Sequence, residues 1–296
     1  MLLHVLHETR YAYAPAVRTA QHMAHLKPAT TPTQRLLRHT LAIDPAPAAC
    51  SERVDVFGNT RNFFSLQFSH DALRVQAESL VSTTPPAEPA AGLPWEQAVE
   101  RMRYNRAGRY DPAAEFGFAS PYVPRDEAFV AYAKASFEPG RPLAQAAREL
   151  MRRIHADFEF ETTATDVNTP ALQALALRKG VCQDLAHVML GCLRSLGLPG
   201  RYVSGYLLTE PAPGQRRLVG CDASHAWVSV YLPGEEGPGE WLALDPTHDR
   251  AAGEDYVTLA MGRDYSDVSP MRGVIHGGAN HTLRVAVTVT PVEAEE

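Results

Sequence analysis

The chain is 296 residues long, enough to bury a substantial core and to hold two domains. Hydrophobic residues make up 45% and charged residues 21%, as in globular proteins, and the net charge of -6 gives no electrostatic case for a nucleic-acid or anionic-membrane partner. No apolar run is long enough to span a bilayer, and Met1 to Glu8 lacks the basic start and unbroken apolar stretch of a signal peptide.

Residues 1–83 read as a β-rich domain. His7 to Tyr13, Arg38 to Ile43, Arg53 to Phe57, Asn62 to Phe68 and Leu73 to Val81 are short, often alternating segments punctuated by Pro, Gly, Asn or Asp, with Gly58-Asn59 suited to a tight turn. The Pro- and Ala-rich stretch 84–93 breaks both periodicities and reads as a connector. Residues 94–296 then form the second domain. Pro142 starts a helix striped by Leu143, Ala146, Ala147, Leu150, Met151 and Ile154, and Thr169-Pro170 supplies a cap and first position for a shorter one.

The next helix carries the most informative residue. After Gly180, the apolar positions Leu185, Val188, Met189, Cys192, Leu193 and Leu196 recur at helical spacing until Gly197, which puts Cys182 in the first turn. Unpaired backbone N–H groups and the positive end of the helix dipole stabilise a thiolate there and can donate to an oxyanion beside the sulfur. A small buried cysteine at a helix start is the plainer explanation of Cys182 taken alone.

Arg201 to Leu208 reads as a strand, and a β-hairpin follows. Ala226, Val228, Val230 and Leu232 alternate with His225, Trp227, Ser229 and Tyr231, and Leu242 and Leu244 alternate with Trp241, Ala243 and Asp245. If paired residue numbers sum to 470, His225 faces Asp245; if they sum to 472, the two are diagonal neighbours, and either even register sets them roughly 5 to 8 Å apart on one face. Loop length alone does not fix that register. A carboxylate beside an imidazole orients it and stabilises its cation, as the partner of a cysteine nucleophile requires. Cys182, His225 and Asp245 are therefore a candidate triad. His281 to Val292 forms a last alternating strand that can return to the N-terminal sheet.

These motifs resemble the transglutaminase-like superfamily of papain-like cysteine enzymes, in its bacterial cysteine-protease-like branch with an N-terminal β domain. The resemblance rests on Gly180-Val181-Cys182-Gln183-Asp184 with Ala186-His187, on Ser224-His225-Ala226-Trp227, and on Leu244-Asp245-Pro246-Thr247. The segments Gly262 to Pro270 with Arg272-Gly273, and Asp55 to Asn59, are similar to the same branch. It implies an α+β fold in which a helix bearing the cysteine packs on an antiparallel sheet bearing the histidine and aspartate. It also implies Cys182 as nucleophile, His225 as base and Asp245 as orienting acid, with Gln183, Trp227, Asp264, Tyr265 and Asp267 lining the substrate cleft. His248 departs from the small polar residue expected after Asp245-Pro246-Thr247.

The expected function is hydrolysis of a peptide or protein amide through a thioester on Cys182. Transfer of the acyl group to an amine, as in a transglutaminase, needs the same triad and stays open, as does a silent scaffold of the same fold. Asp184 is expected to make a structural contact near the helix start, and His187 to be a core residue. Zinc on Cys182, His225 and Asp245 lacks a clustered fourth ligand, and no phosphate loop, dinucleotide fingerprint, HExxH or EF-hand loop is present, so neither metal nor cofactor is expected. Cys50, Cys182, Cys192 and Cys221 are widely spaced with no CxxC pair, which fits a reducing, cytoplasmic setting. Cys221 is expected to be structural.

Overall fold

The computed structural model describes residues 1–89, 92–103, 110–209, 224–234, 237–278 and 280–292. Cys221 lies outside them. In chain order the strands β1 (Leu2–Ala24), β2 (Gln34–Asp44), β3 (Ala49–Val54), β4 (Thr60–Leu66) and β5 (His70–Thr83) come first. There follow α1 (Trp95–Met102), a 3-10 turn (Pro112–Gly117), α2 (Glu127–Ala133), α3 (Leu143–Asp157), β6 (Glu159–Phe160), α4 (Ala171–Leu177), β7 (Lys179–Gly180) and α5 (Cys182–Ser195). The chain continues through β8 (Gly200–Leu207), β9 (Ser224–Leu232), β10 (Glu240–Asp245), β11 (Arg250–Ala251), β12 (Tyr256–Gly262), α6 (Tyr265–Val268), β13 (Met271–Gly277) and β14 (Asn280–Pro291).

The first five strands form an antiparallel sheet in the order β2-β5-β1-β4-β3, and β13 and β14 both add to β1. β1 runs well past the seven residues its alternation suggests. Pro15 has no N–H to give a ladder, which argues for a break, yet it falls where the pairing of β1 with β5 slips between Ala12 and Val17. The irregularity absorbs the proline, and the strand resumes with β4 and β13 as new partners. β14 pairs with the first half of β1 from Leu3 opposite Pro291 to Ala14 opposite Asn280. Leu3, Val5, Val81, Val287 and Val289 from this sheet are buried in the same apolar cluster as α3, α5 and the second sheet.

That second sheet is antiparallel in the order β11-β10-β9-β8-β12. Ala226, Val228 and Val230 on β9 and Leu242 and Leu244 on β10 join the α5 core, while Trp227, with Val203 and Tyr256, belongs to a separate cluster. α5 is buried from Asp184 to Arg194, so its apolar residues extend beyond one stripe. Leu198 N–H reaches the Leu193 carbonyl at 2.9 Å and Gly197, at φ +86°, donates to Arg194 at 3.0 Å, a left-handed glycine cap that stops the helix where the sequence does.

The start of α5 is held by Asp184. Its Oδ2 accepts from Val181 N–H at 2.8 Å and from Thr165 Oγ1 at 2.7 Å, and a Cβ on Gly180 would lie 2.5 Å from the same oxygen. Asp184 therefore closes the first turn, the structural contact expected of it, and Gly180 leaves room for it. Removing the carboxylate with Asp184→Ala should destabilise the protein by about 1–2 kcal/mol, the usual effect of losing a helix-start bond. Urea denaturation of the two proteins checks this; equal midpoints would show that the first turn stands without it.

Candidate active site

Cys182 is the first residue of α5 and remains partly exposed. Helix geometry leaves the N–H groups of Cys182 and Gln183 without partners within the helix, while those of Asp184 and Leu185 donate to the Val181 carbonyl at 2.9 and 3.1 Å. Gln183, next to it, donates Nε2 to the Val167 carbonyl at 3.0 Å, which ties the loop before α4 to the helix start.

The hairpin pairs Glu240 with Leu232 through Leu244 with Val228, so the paired numbers sum to 472. His225 and Asp245 are thus diagonal neighbours. His225 Nε2 meets Asp245 Oδ2 at 2.7 Å, with His225 8% and Asp245 0% exposed. Since Nε2 is engaged, Nδ1 is the ring nitrogen left for the Cys182 thiol, which lies near enough to act on the His225 charge. Burial works against a charged imidazole here, but Asp245 and Cys182 outweigh it and push the His225 pKa up to about 9.

Two residues that the sequence did not assign a role hold the same carboxylate. His248 Nδ1 and Tyr256 Oη each lie 2.7 Å from Asp245 Oδ2, and Thr247 N–H donates to Oδ1 at 2.9 Å. Burial alone would raise the Asp245 pKa; the bonds from His225, His248 and Tyr256 reverse that and hold it well below the usual carboxylate range. His248 carries a signal in its spacing, three residues beyond Asp245. Tyr256 carries none, because its approach depends on how β12 is placed. His225, Asp245 and His248 also offer three ligand atoms within 4.8 Å of one another, a grouping among the described residues that could hold a metal ion. In place of Cys182, His248 is the third donor of that set.

The residues suggested for cleft lining divide. Trp227 is 2% exposed and supports the site from behind, its ring stacked on His225 at 6.1 Å and packed edge-on to Tyr256 at 5.2 Å. Asp264 is fully buried: it caps α6 by accepting from Ser266 N–H at 2.9 Å and also takes the Tyr122 N–H at 2.8 Å. Those bonds, against the opposing effect of burial, lower its pKa. It shapes the loop and cannot touch a ligand in this arrangement. Asp267 is bonded to the backbone N–H and guanidinium of Arg263, both at 2.9 Å. Tyr265 packs partly buried against the core, and its backbone N–H donates to His187 Nε2 at 3.2 Å. His187 is fully buried, and desolvation lowers its pKa to about 3, so a neutral ring ties this loop to α5, in keeping with the core residue expected.

With this geometry in view, residues 130–246 match the transglutaminase-like superfamily and residues 3–82 match the bacterial transglutaminase-like N-terminal region. An uncharacterized protein of Mycobacterium tuberculosis is 39% identical over 298 aligned residues, covering 98% of this chain and 93% of that one. The chain belongs to the transglutaminase-like superfamily. An uncharacterized Mycobacterium leprae protein is 30% identical across 97% of this chain and 98% of its own. The protein-glutamine gamma-glutamyltransferase of Pseudomonas aeruginosa is 34% identical over 131 residues, 38% of this chain and 19% of that protein. The crystal structure of the "Putative Cysteine Protease" from Cytophaga hutchinsonii superposes with a TM-score of 0.75 at 18% identity, covering 100% of this chain and 92% of that one, and shares its fold. Both the resemblance read in the sequence and the α+β transglutaminase-like fold it implied are therefore shown. No helix among the described residues is long and apolar enough to cross a membrane.

Proposed function

We propose that this protein is a cysteine-nucleophile amide hydrolase, with Cys182, His225 and Asp245 as its triad and a peptide or protein amide as substrate. The observation that carries the reading is the buried 2.7 Å hydrogen bond between His225 and Asp245 beside a partly exposed Cys182 that helps to raise the His225 pKa. The Cys182 sulfur attacks the amide carbon, the N–H groups at the start of α5 receive the developing oxyanion, and His225 returns a proton to the departing amine. Water, activated by the then neutral His225, attacks the thioester; the acid leaves and the thiol is restored. A reducing, cytoplasmic setting for this chemistry is part of the proposal.

Labelling with iodoacetamide should be faster at Cys182 than at Cys192, which is buried with its pKa pushed above the usual thiol range, and faster than at exposed Cys50, which has no histidine partner among the described residues. Peptide mapping of the alkylated protein reads this directly; an inert Cys182 removes the proposal. Mass spectrometry after incubation with a peptide library, with and without an added primary amine, then identifies the acyl group and its acceptor. Amine-bearing products in preference to acids would move the protein to acyl transfer, the second reading.

The pH dependence has a definite sign. His225 must be protonated to deliver its proton to the amine, and its pKa is raised to about 9. The rate of acylation should therefore fall as pH rises through that value. A pH profile of kcat/KM that stays flat to pH 10 would contradict the assigned role.

A further inference from the structure

Behind the His225–Asp245 pair, the connector that leaves β5 runs across the outer face of the β8–β9–β10 sheet and leaves a cavity of about 480 Å³. Its lining is chiefly apolar, with Trp227, Trp241, Val203 and Ala252 from the sheet side and Pro86 and Pro89 from the connector. Both its size and its character are those of small-molecule sites.

Arg201 on β8 also lines this cavity. Its guanidinium carbon sits 4.0 Å over the centre of the Trp241 ring, and its Nε is buried with no hydrogen-bond partner. Burial is what lowers its pKa, to about 10, with no carboxylate acting to raise it. The other charges around it differ. Arg148 is paired with Glu88 at 2.6 Å, and Glu240 is exposed at the strand end. On its other side Arg201 borders a second hollow, in which Asp55 is 3.6 Å from Arg61 and Asp267 is 2.9 Å from Arg263.

A partly desolvated cation without a counter-charge is costly, and a guanidinium fork matches a carboxylate or phosphate through two parallel N–H bonds. An anion seated there would supply what the chain itself does not. The apolar walls add a second requirement, because a bare inorganic ion would lose its hydration and gain little from tryptophan and proline. We propose that this cavity binds a small organic anion, its acidic group received by Arg201 and its apolar body resting against Trp227 and Trp241. The inference concerns a site separate from Cys182 and does not rest on the hydrolase reading.

Trp95, Trp227 and Trp241 are the three tryptophans of the chain, so Trp95→Phe leaves only the two in the cavity as fluorophores. The full-length Trp95→Phe protein would be titrated with phenylacetate, phenyl phosphate, neutral phenylacetamide and inorganic phosphate. A saturable change in fluorescence is expected with at least one of the two aryl acids, and which of them binds more tightly separates a carboxylate from a phosphate head. Phenylacetamide and inorganic phosphate should bind at least ten-fold more weakly. Adding Arg201→Met should weaken aryl-acid binding at least ten-fold, and Arg201→Lys should keep part of the affinity. Equal binding of phenylacetate and phenylacetamide, unchanged affinity in folded Arg201→Met, or no response to either aryl acid would overturn the proposal. If Arg201→Met does not fold, the comparison of acid with amide decides.

Discussion

Replacing His225 with alanine should lower kcat/KM for a peptide amide recovered by trapping by about a thousand-fold, with the fold intact, because one side chain both polarises the thiol and protonates the amine. Asp245→Asn should also be slow, and for a traceable reason. Together with Cys182, the Asp245 carboxylate raises the His225 pKa to about 9 against the effect of burial, and an amide cannot offer that charge. Asp245→Asn should therefore shift the falling limb of the pH profile toward lower pH, a displacement that loss of packing alone does not produce. Normal turnover in folded His225→Ala would end the assignment.

The same groups set the pH dependence of stability. The His225 pKa is raised on folding, so its contribution is complete below about pH 6.5, the value of a free histidine, and is lost as pH rises through about 9. The Asp245 pKa is depressed, so its contribution is present above about pH 4 and is lost as pH falls below that. Tyr256→Phe removes one of the three donors to Asp245 Oδ2 and should cost roughly 1–2 kcal/mol while leaving His225 in contact with its acid. Chemical denaturation at pH 3, 5, 7 and 9 tests both pH statements, and a stability unchanged from pH 7 to 9 would contradict the raised His225.

The candidate triad could be proposed from sequence because its signals are local. A cysteine placed by helical period in a first turn and two alternating strands of like parity need no knowledge of the rest of the chain. The support of Asp245 was hidden because it is not local: Tyr256 reaches Asp245 Oδ2 from β12, eleven residues further on, and nothing in its sequence neighbourhood marks that contact. Asp264 shows the opposite difficulty. A polar residue in a loop reads equally well as a ligand and as a cap, and the four-residue helix it starts is too short to show a period. In β1, Pro15 made one strand look like the end of another, since a proline at a strand irregularity and a proline between strands read alike.

The division of the chain into residues 1–83, a connector and residues 94–296 remains a proposal, and the placement of β14 makes it testable. β14 lies beside β1 along twelve paired positions, and Val287 and Val289 share a core with Leu3, Val5 and Val81. A protein comprising residues 93–296 would lose β1 and β5 and leave β14 without the strand it pairs with. It would also uncover the face on which Tyr206, 1% exposed, accepts or donates the 2.7 Å bond to His7 Nδ1. An unpaired strand next to an uncovered apolar surface is a template for aggregation. The fragment should accumulate as insoluble protein or as oligomers, whereas full-length Cys182→Ala should stay soluble with an unchanged melting temperature. Size-exclusion chromatography and thermal melting of the two proteins distinguish a clamp, in which the two ends of the chain hold the catalytic core between them, from a tethered module. A monomeric, cooperatively melting fragment would establish the module.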